Sequence, residues 1–195
     1  CRIAPTATGS YAPKCFERNA DRRGVDGVAC SDGSDCAPGF DCVAGDKGSV
    51  CRRYCCLGWA TCADQTSQNG GPTFCDIQRL IGAGAPKAPV CMPLKKCNLL
   101  GWGECSEKET CAVVTAKGDS GCVPRGPARV GESCDEEHCG FGLTCLGQPG
   151  DRRCYKLCKT TGEECEAPQV CTTGTVFQNP TFGVCKDPPP PAQHP

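Results

Sequence analysis

The sequence predicts a small disulfide-rich fold, mostly irregular with short β-hairpins, in which tandem cysteine-rich repeats share a thin hydrophobic core. Cysteine accounts for 23 of the 195 residues, a density typical of disulfide scaffolds in secreted chains. Glycine and proline add 25 and 17 residues, and the cysteines are themselves counted among the 38 % of residues that are hydrophobic. Few side chains remain for an aliphatic core, so cross-links must replace it.

Zinc binding is the main alternative explanation for so many cysteines. Structural zinc sites use closely spaced cysteine pairs, most often C-x-x-C, and that spacing is absent from the sequence. Only His138 and His194 could supply an imidazole ligand. We therefore expect disulfides, with no metal site and no other cofactor.

The composition also indicates the cellular compartment and excludes some classes of partner. Disulfides persist in oxidising compartments, so an exported protein is expected. The sequence holds neither a signal peptide nor an apolar run long enough to span a bilayer, which indicates a processed chain without a transmembrane helix. The net charge is −1 and the charges are interspersed, which argues against a nucleic-acid partner.

One cysteine interval divides the chain into repeats. At five places, two cysteines separated by five residues have another cysteine upstream and one 8 to 13 residues downstream. The pattern predicts a four-cysteine block that occurs five times. The pairs are Cys36 and Cys42, Cys56 and Cys62, Cys105 and Cys111, Cys139 and Cys145, and Cys165 and Cys171.

Four of the blocks are clear and one is ambiguous. The ambiguous block begins at Cys55 and Cys56, continues through Cys62 and ends at either Cys75 or Cys91. The adjacent Cys55 and Cys56 are expected to bond to different partners, because a vicinal disulfide is strained. The clear blocks are Cys30, Cys36, Cys42, Cys51; Cys97, Cys105, Cys111, Cys122; Cys134, Cys139, Cys145, Cys154; and Cys158, Cys165, Cys171, Cys185.

The segment between the third and fourth cysteine of each block predicts a short β-hairpin, because glycine, Asn-Gly or Asn-Pro lies near its middle. In the ambiguous block this segment is "ADQTSQNGGPTF", between Cys62 and Cys75. Hairpin-based modules commonly bond the first cysteine to the third and the second to the fourth. The expected pairs are Cys30–Cys42, Cys36–Cys51, Cys97–Cys111, Cys105–Cys122, Cys134–Cys145, Cys139–Cys154, Cys158–Cys171 and Cys165–Cys185.

Five blocks use twenty cysteines and leave three. Two of these are Cys1 and Cys15, and the third is whichever of Cys75 and Cys91 lies outside the ambiguous block. A bond between Cys15 and that third cysteine would tie the N-terminal segment to the middle of the chain. Cys1 is then the odd cysteine.

A cysteine at the first position, followed by "RIAPTATGSYAPK", resembles the mature form of bacterial lipoproteins. In that family the signal peptide is cut just before a cysteine that carries the lipid, and a flexible tether follows it. The resemblance implies that Cys1 is acylated, that residues 2–14 form a tether and not a hairpin, and that the membrane is contacted through the N-terminal lipid. A chain that begins at Cys1 by chance is the alternative.

A second resemblance is carried by "CSDGSDCAPGFDCVAGDKGSVCRRYC" and by "CDEEHCGFGLTCLGQPGDRRCYKLC", which match each other in spacing. Both look like cysteine-rich repeats of the Dickkopf N-terminal type, which occur in exported bacterial proteins. The resemblance covers residues 30–75 and 134–185, and 91–122 in part. It implies a disulfide-linked interaction module and transfers no catalytic residue.

Three motifs are candidates for chemistry. The segment "GDSGC" at 118–122 resembles the sequence around the nucleophile of chymotrypsin-like proteases, but neither histidine has the setting of a base oriented by a buried carboxylate, so Ser120 is expected to be a turn residue. The acidic segments "CDEEHC" at 134–139 and "SDGSD" at 31–35 are explained by solvated loops, since the extended ligand set of a calcium loop is missing. We expect no enzyme activity.

The most concentrated apolar residues form a candidate partner surface. Packing beneath neighbouring hairpins is one hypothesis for them, and a binding hot spot is the other, because aromatic anchors dominate interfaces. These residues are Leu57, Trp59, Leu99, Leu100 and Trp102.

The expected organisation is an N-terminal tether segment (1–29), repeat 1 (30–90), partial repeat 2 (91–125), repeat 3 (126–185) and a proline-rich tail (186–195). The expected function is that of a non-catalytic, lipid-anchored subunit or adhesion module of a bacterial outer membrane or cell-surface assembly, with other envelope or surface proteins as partners. A free secreted binding module, such as an inhibitor or ligand, is the alternative.

Overall fold

The computed structural model describes residues 2–5, 8, 11–14, 24–45, 47–55, 62, 71–82, 84, 86–101, 103–162, 164–173 and 178–188. The chain divides into two compact units, Cys1–Leu94 (unit 1) and Lys95–Pro195 (unit 2). The only helix of the described residues is a single 3-10 turn at Gly33–Asp35. Antiparallel hairpins and irregular segments make up the rest, which confirms the predicted fold class.

The first hairpin corrects an expectation. Strands β1 (Arg2–Pro5) and β2 (Tyr11–Lys14) pair antiparallel, with Arg2 opposite Lys14. The prediction of a flexible tether over residues 2–14 was therefore wrong. Isoleucine and tyrosine favour extended backbone, and the Gly-Ser step between the two strands is a turn signal that the prediction passed over.

Five further hairpins follow. Unit 1 contains β3 (Phe40–Gly45) with β4 (Gly48–Arg53) and β5 (Thr73–Arg79) with β6 (Lys87–Pro93). Unit 2 contains β7 (Glu109–Val113) with β8 (Ser120–Pro124), β9 (Leu143–Leu146) with β10 (Arg153–Lys159), and β11 (Val170–Thr172) with β12 (Phe182–Lys186). Because β10 also pairs with β12, the last two hairpins form one four-stranded sheet.

Each of these five hairpins belongs to one four-cysteine block. The third and fourth cysteines lie directly opposite each other on the paired strands, as in Cys42↔Cys51 and Cys145↔Cys154. The same opposition occurs at Cys75↔Cys91, Cys111↔Cys122 and Cys171↔Cys185. We number the blocks 1 to 5 by these pairs in chain order: Cys42/Cys51, Cys75/Cys91, Cys111/Cys122, Cys145/Cys154 and Cys171/Cys185.

A third extended segment completes every block. The residue before the first cysteine pairs with the residue before the fourth, so the segment leading into the block lies beside the second strand of its hairpin. The pairs are Ala29↔Val50, Tyr54↔Val90, Lys96↔Gly121, Ser133↔Arg153 and Leu157↔Val184. A two-stranded hairpin is marginal alone, and this third segment adds the missing neighbour.

The disulfides join this third segment to the hairpin. Each block bonds its first cysteine to its third across 5.9–6.0 Å between Cα atoms, and its second to its fourth across 5.4–5.7 Å. These distances are ordinary for disulfides. The eight bonds of blocks 1, 3, 4 and 5 have the same partners as the pairs expected from the repeat.

Block 2 differs from the expectation. Its bonds are Cys55–Cys75 and Cys62–Cys91, so both Cys75 and Cys91 lie inside the block. The expected bond from Cys15 to one of them is therefore wrong. Most of the segment between Cys62 and Cys75, where a hairpin was expected, lies outside the described residues, and the described hairpin of this block places Cys75 opposite Cys91. The boundary expected at residue 90 falls within β6.

The constant five-residue interval has a local cause in the other four blocks. Directly after the second cysteine, a carbonyl accepts a hydrogen bond from the backbone amide three residues further on, which closes a β-turn. One more residue then leads to the third cysteine on its strand. The bonds are Phe40 N to Ala37 O, Glu109 N to Ser106 O, Leu143 N to Gly140 O and Gln169 N to Glu166 O.

The apolar core is thin and contains much sulfur. Of the 26 buried hydrophobic residues among those described, 12 are cysteines. In unit 1, Val43, Leu80, Ala88 and Val90 form an aliphatic cluster between blocks 1 and 2. One cluster of unit 2 consists of Cys134, Cys139 and Cys154 with Ala128 and Leu143.

Candidate functional site

The candidate site is a cavity of about 380 Å³ in unit 2, formed by block 3 and the start of block 4. The loop that carries Gly101 and Gly103 lines it, as do three glutamates, Arg125 and the ring of Phe141. The glutamates are Glu104, Glu107 and Glu109. A second cavity of about 490 Å³ shares Cys97, Asn98 and Glu104 with it, and is also lined by Lys96, Gly118, Asp119 and Ser120.

Glu104 fixes the loop at the rim of both cavities. Its carboxylate accepts hydrogen bonds from the backbone amide and from the side-chain amide of Asn98. Both donors are neutral, and the two bonds hold Asn98 and Glu104, at the two ends of this loop, together.

Glu109 lies at the entrance to β7. Its carboxylate accepts from the backbone amide of Ser106 at 3.0 Å and pairs with the Lys95 ammonium at 3.3 Å. Burial raises the pKa of Glu109. The hydrogen bonds from Ser106 and the ion pair with Lys95 together lower it by more, so the pKa lies below its ordinary value. Glu109 is therefore ionised at neutral pH.

Arg125 and Phe141 also line the cavity. The guanidinium carbon of Arg125 lies 5.7 Å from the centre of the Phe141 ring, within the range of a cation–π contact. Phe141 is 50 % exposed, and it is the one aromatic ring among the exposed large apolar side chains of the described residues. Block 4 thus contributes a half-exposed aromatic ring to a cavity that glutamates also line.

The cysteines that line the cavity carry no free thiol. Cys97, Cys105 and Cys111 are all disulfide-bonded. In every block the sulfurs of the first, second and fourth cysteine lie within 4.8 Å of one another, but a bonded sulfur is not a thiolate, which is the form that binds metal or acts as a nucleophile. The described lining thus offers carboxylates, a guanidinium and an aromatic ring, which are groups that bind.

Of the five apolar residues that formed the candidate partner surface, the structure describes two, Leu99 and Leu100. Leu99 is buried at 5 % exposure, which favours packing over a partner surface. Leu100 is half-buried in the left-handed backbone region, at φ 59°, where it helps the loop to turn toward the cavity. Leu57, Trp59 and Trp102 lie outside the described residues, as do Cys1, Cys15 and Cys56.

The other motifs serve local structure. Ser120 begins β8 directly after the turn at Gly118, and its hydroxyl donates to the carbonyl of Cys97. The acidic turn "SDGSD" forms a capping box, in which the Asp32 carboxylate accepts the Ser34 amide of the 3-10 turn and the Asp35 carboxylate accepts the Ser31 and Asp32 amides that precede it.

In "CDEEHC", Asp135 pairs with the Arg152 guanidinium at 2.9 Å and accepts the backbone amides of Gly150 and Arg152. Burial raises the pKa of Asp135, but these hydrogen bonds and the Arg152 charge lower it more, so the pKa lies below its ordinary value. This carboxylate clamps the first cysteine of block 4 to the loop before the fourth.

Comparison with known proteins gives no relative: no family model, no curated protein and no solved structure matches the chain. None of the described residues belongs to a helix long and apolar enough to cross a membrane. Ten disulfides among the described residues are those of an extracellular or otherwise exported protein.

Proposed function

We propose that this chain is a non-catalytic interaction module of an exported protein, in which disulfide-closed blocks hold variable loops for binding. The observation that carries the proposal is that five blocks repeat one bonding pattern and one strand register, while the loops between their strands differ in length and composition. These loops are residues 46–47, 80–86, 114–119, 147–152 and 173–181. A rigid frame with diverse loops is a common basis for recognition.

The motifs that were candidates for chemistry support this proposal. The Ser120 hydroxyl, the Asp32 and Asp35 carboxylates and the Asp135 carboxylate are all engaged in hydrogen bonds that hold their own blocks together. Groups committed in this way stabilise the loops that surround them.

We further propose that the module is attached to a bacterial outer membrane or cell surface through a lipid on Cys1. The support for this attachment is the cysteine count, because ten described bonds use 20 of the 23 cysteines and leave Cys1, Cys15 and Cys56. A bond between Cys15 and Cys56 would leave the Cys1 sulfur for an acyl chain. The partners would then be other envelope or surface proteins.

A free secreted binding module is the second candidate, and the β1–β2 hairpin favours it. A lipid-anchored chain needs a flexible spacer after the acylated cysteine, whereas residues 2–5 and 11–14 pair as strands.

Mass measurement of the native protein, with and without a Cys1→Ser change, separates the two candidates. The lipid-anchored module requires an N-terminal peptide heavier by several acyl chains, at about 14 daltons per CH₂, and partition of the protein into a detergent phase that is lost in Cys1→Ser. An unmodified Cys1 that forms a disulfide or reacts with an alkylating reagent would contradict the anchor and leave the secreted module.

Native electrophoresis of detergent-solubilised cells tests the interaction role itself. The module should migrate with other proteins, well above the position of a 20.4 kDa chain. Migration as a monomer under every extraction condition would contradict the proposal.

A further inference from the structure

The cavity formed by block 3 and the start of block 4 carries an excess of negative charge. Glu104, Glu107 and Glu109 line it, against the single positive charge of Arg125. Lys95 pairs with Glu109, but within the described part of the chain no cation pairs with Glu104 or with Glu107. Two carboxylates therefore face this cavity without a positive partner.

The aromatic wall favours the same kind of ligand. The face of an aromatic ring attracts cations, and Arg125 of this chain already lies over Phe141. Exposed aromatic and arginine side chains are also the residue types that dominate binding energy at protein interfaces. A guanidinium entering the cavity would find both carboxylates and a half-exposed ring among its lining groups.

The cavity has the size of one long side chain and the backbone beside it, at about 380 Å³. We propose that it binds a basic side chain, arginine in preference to lysine, on an exposed segment of a partner protein. Arginine is preferred because its planar guanidinium can stack on the ring while it donates to a carboxylate, whereas an ammonium is a point charge. This inference rests on the proposed interaction function and gives the chemistry of one of its partners.

The probe is a fluorescein-labelled hexa-arginine peptide, titrated with the whole oxidised protein and followed by fluorescence anisotropy. Hexa-lysine, hexa-glutamate and a glycine-serine peptide are the comparison ligands. Amide NMR of the same mixtures locates the site, with the signals of Gly101, Gly103 and Thr110 as reporters of the cavity.

Variants with equal net charge separate the cavity from general electrostatic attraction. Glu107→Gln removes a charge from the cavity, and Glu166→Gln removes one from an exposed position in block 5 outside it. We expect Glu107→Gln to weaken hexa-arginine binding about two- to fivefold, the effect of one exposed ion pair, and Glu166→Gln to leave it unchanged. Phe141→Ala should weaken it further, and added salt should weaken it in the wild type.

Hexa-arginine should also bind more tightly than hexa-lysine, and hexa-glutamate should not compete. Equal weakening by Glu107→Gln and Glu166→Gln, or amide shifts that avoid the cavity, would overturn the inference. Because the interaction function is tested by native complexes in cells, loss of hexa-arginine binding with such complexes intact would refute this ligand chemistry alone.

Discussion

Blocks 4 and 2 have the same internal geometry although their sequences differ greatly in spacing. In block 4 the bonded cysteines are 11 and 15 residues apart, and in block 2 they are 20 and 29 apart. The Cα–Cα distances are nevertheless 5.9 and 5.6 Å in block 4, and 5.9 and 5.7 Å in block 2. The repeated unit is thus a set of strand contacts, and the number of residues between them is free to vary.

Two contacts define the unit in both blocks. The third and fourth cysteines face each other across a hairpin, and the residue before the first cysteine pairs with the residue before the fourth: Ser133↔Arg153 in block 4 and Tyr54↔Val90 in block 2. These contacts bring the sulfurs within bonding distance whatever the loop length. Longer loops cost only slowly increasing closure entropy, so block 2 can tolerate them.

The largest expected effect is that of complete reduction, which should unfold both blocks alike. Each bond contributes about 3 kcal/mol in the chain-entropy model, so ten bonds exceed the 5–15 kcal/mol typical of a whole domain. Amide NMR of the reduced protein should show a collapsed, poorly dispersed spectrum. Retention of a cooperative thermal transition in block 2, where the aliphatic cluster lies, would show that this core is sufficient.

Removal of one disulfide from block 2 and one from block 4 should destabilise the protein by amounts that depend on the length of the opened loop. The paired change Cys62→Ala/Cys91→Ala opens the longer loop, and Cys134→Ala/Cys145→Ala opens the shorter one. The chain-entropy model gives losses of about 3.6 and about 2.8 kcal/mol. Urea unfolding measures both, and a larger loss in block 4 would mean that native packing, and not loop closure, sets the contribution.

A change in the aliphatic cluster tests how far block 2 depends on apolar side chains, whereas the described cluster of block 4 contains three cysteines. Leu80 is 3 % exposed and contacts the cluster between blocks 1 and 2, so Leu80→Ala should cost about 2–3 kcal/mol. The control Val25→Ala changes an exposed residue of the same unit and should cost less than 0.5 kcal/mol. Amide hydrogen exchange in unit 1 reports the loss, and equal exchange in both variants would contradict this role of the cluster.

Acid should affect block 4 through Asp135. Because its pKa is lowered in the folded state, the stabilisation is present above the ordinary aspartate pKa of about 3.9 and is lost as the pH falls through the folded-state value. Asp135→Asn should cost about 1–2 kcal/mol at pH 7 and nothing once the wild-type carboxyl is protonated. The control Asp151→Asn lies on an exposed ion pair and should show little difference at either pH.

The sequence was sufficient to predict the disulfides and hairpins of the four blocks in which five residues separate the second cysteine from the third. The five-residue interval of blocks 1, 3, 4 and 5 corresponds to one four-residue β-turn and one further residue, so spacing alone located their third cysteine and their hairpin. In block 2 the same interval, Cys56 to Cys62, has no such meaning, because Cys62 is the second cysteine of the block. The signal that would have located it is the three-residue connector Cys51–Cys55, which also joins blocks 4 and 5 as Cys154–Cys158.

The candidate cavity was less predictable. The sequence pointed to the loop after Leu99 through its apolar residues, but Leu99 turned inward and the exposed ring is Phe141, more than forty positions further along the chain. Phe141 shares the cavity with the glutamates because block 4 packs against block 3, where the Thr144 hydroxyl accepts from the Val113 amide at 3.2 Å. Contacts between blocks of this kind leave no spacing signal in one sequence.

Disulfide mapping of block 2 in the native oxidised protein tests the repeated unit most directly. Proteolysis without reduction, followed by fragmentation that distinguishes Cys55 from the adjacent Cys56, identifies each partner. We expect bonds Cys55–Cys75 and Cys62–Cys91, with Cys56 joined to neither Cys75 nor Cys91. A bond from Cys62 to Cys75, or from Cys56 to either hairpin cysteine, would show that block 2 is not the same unit as block 4.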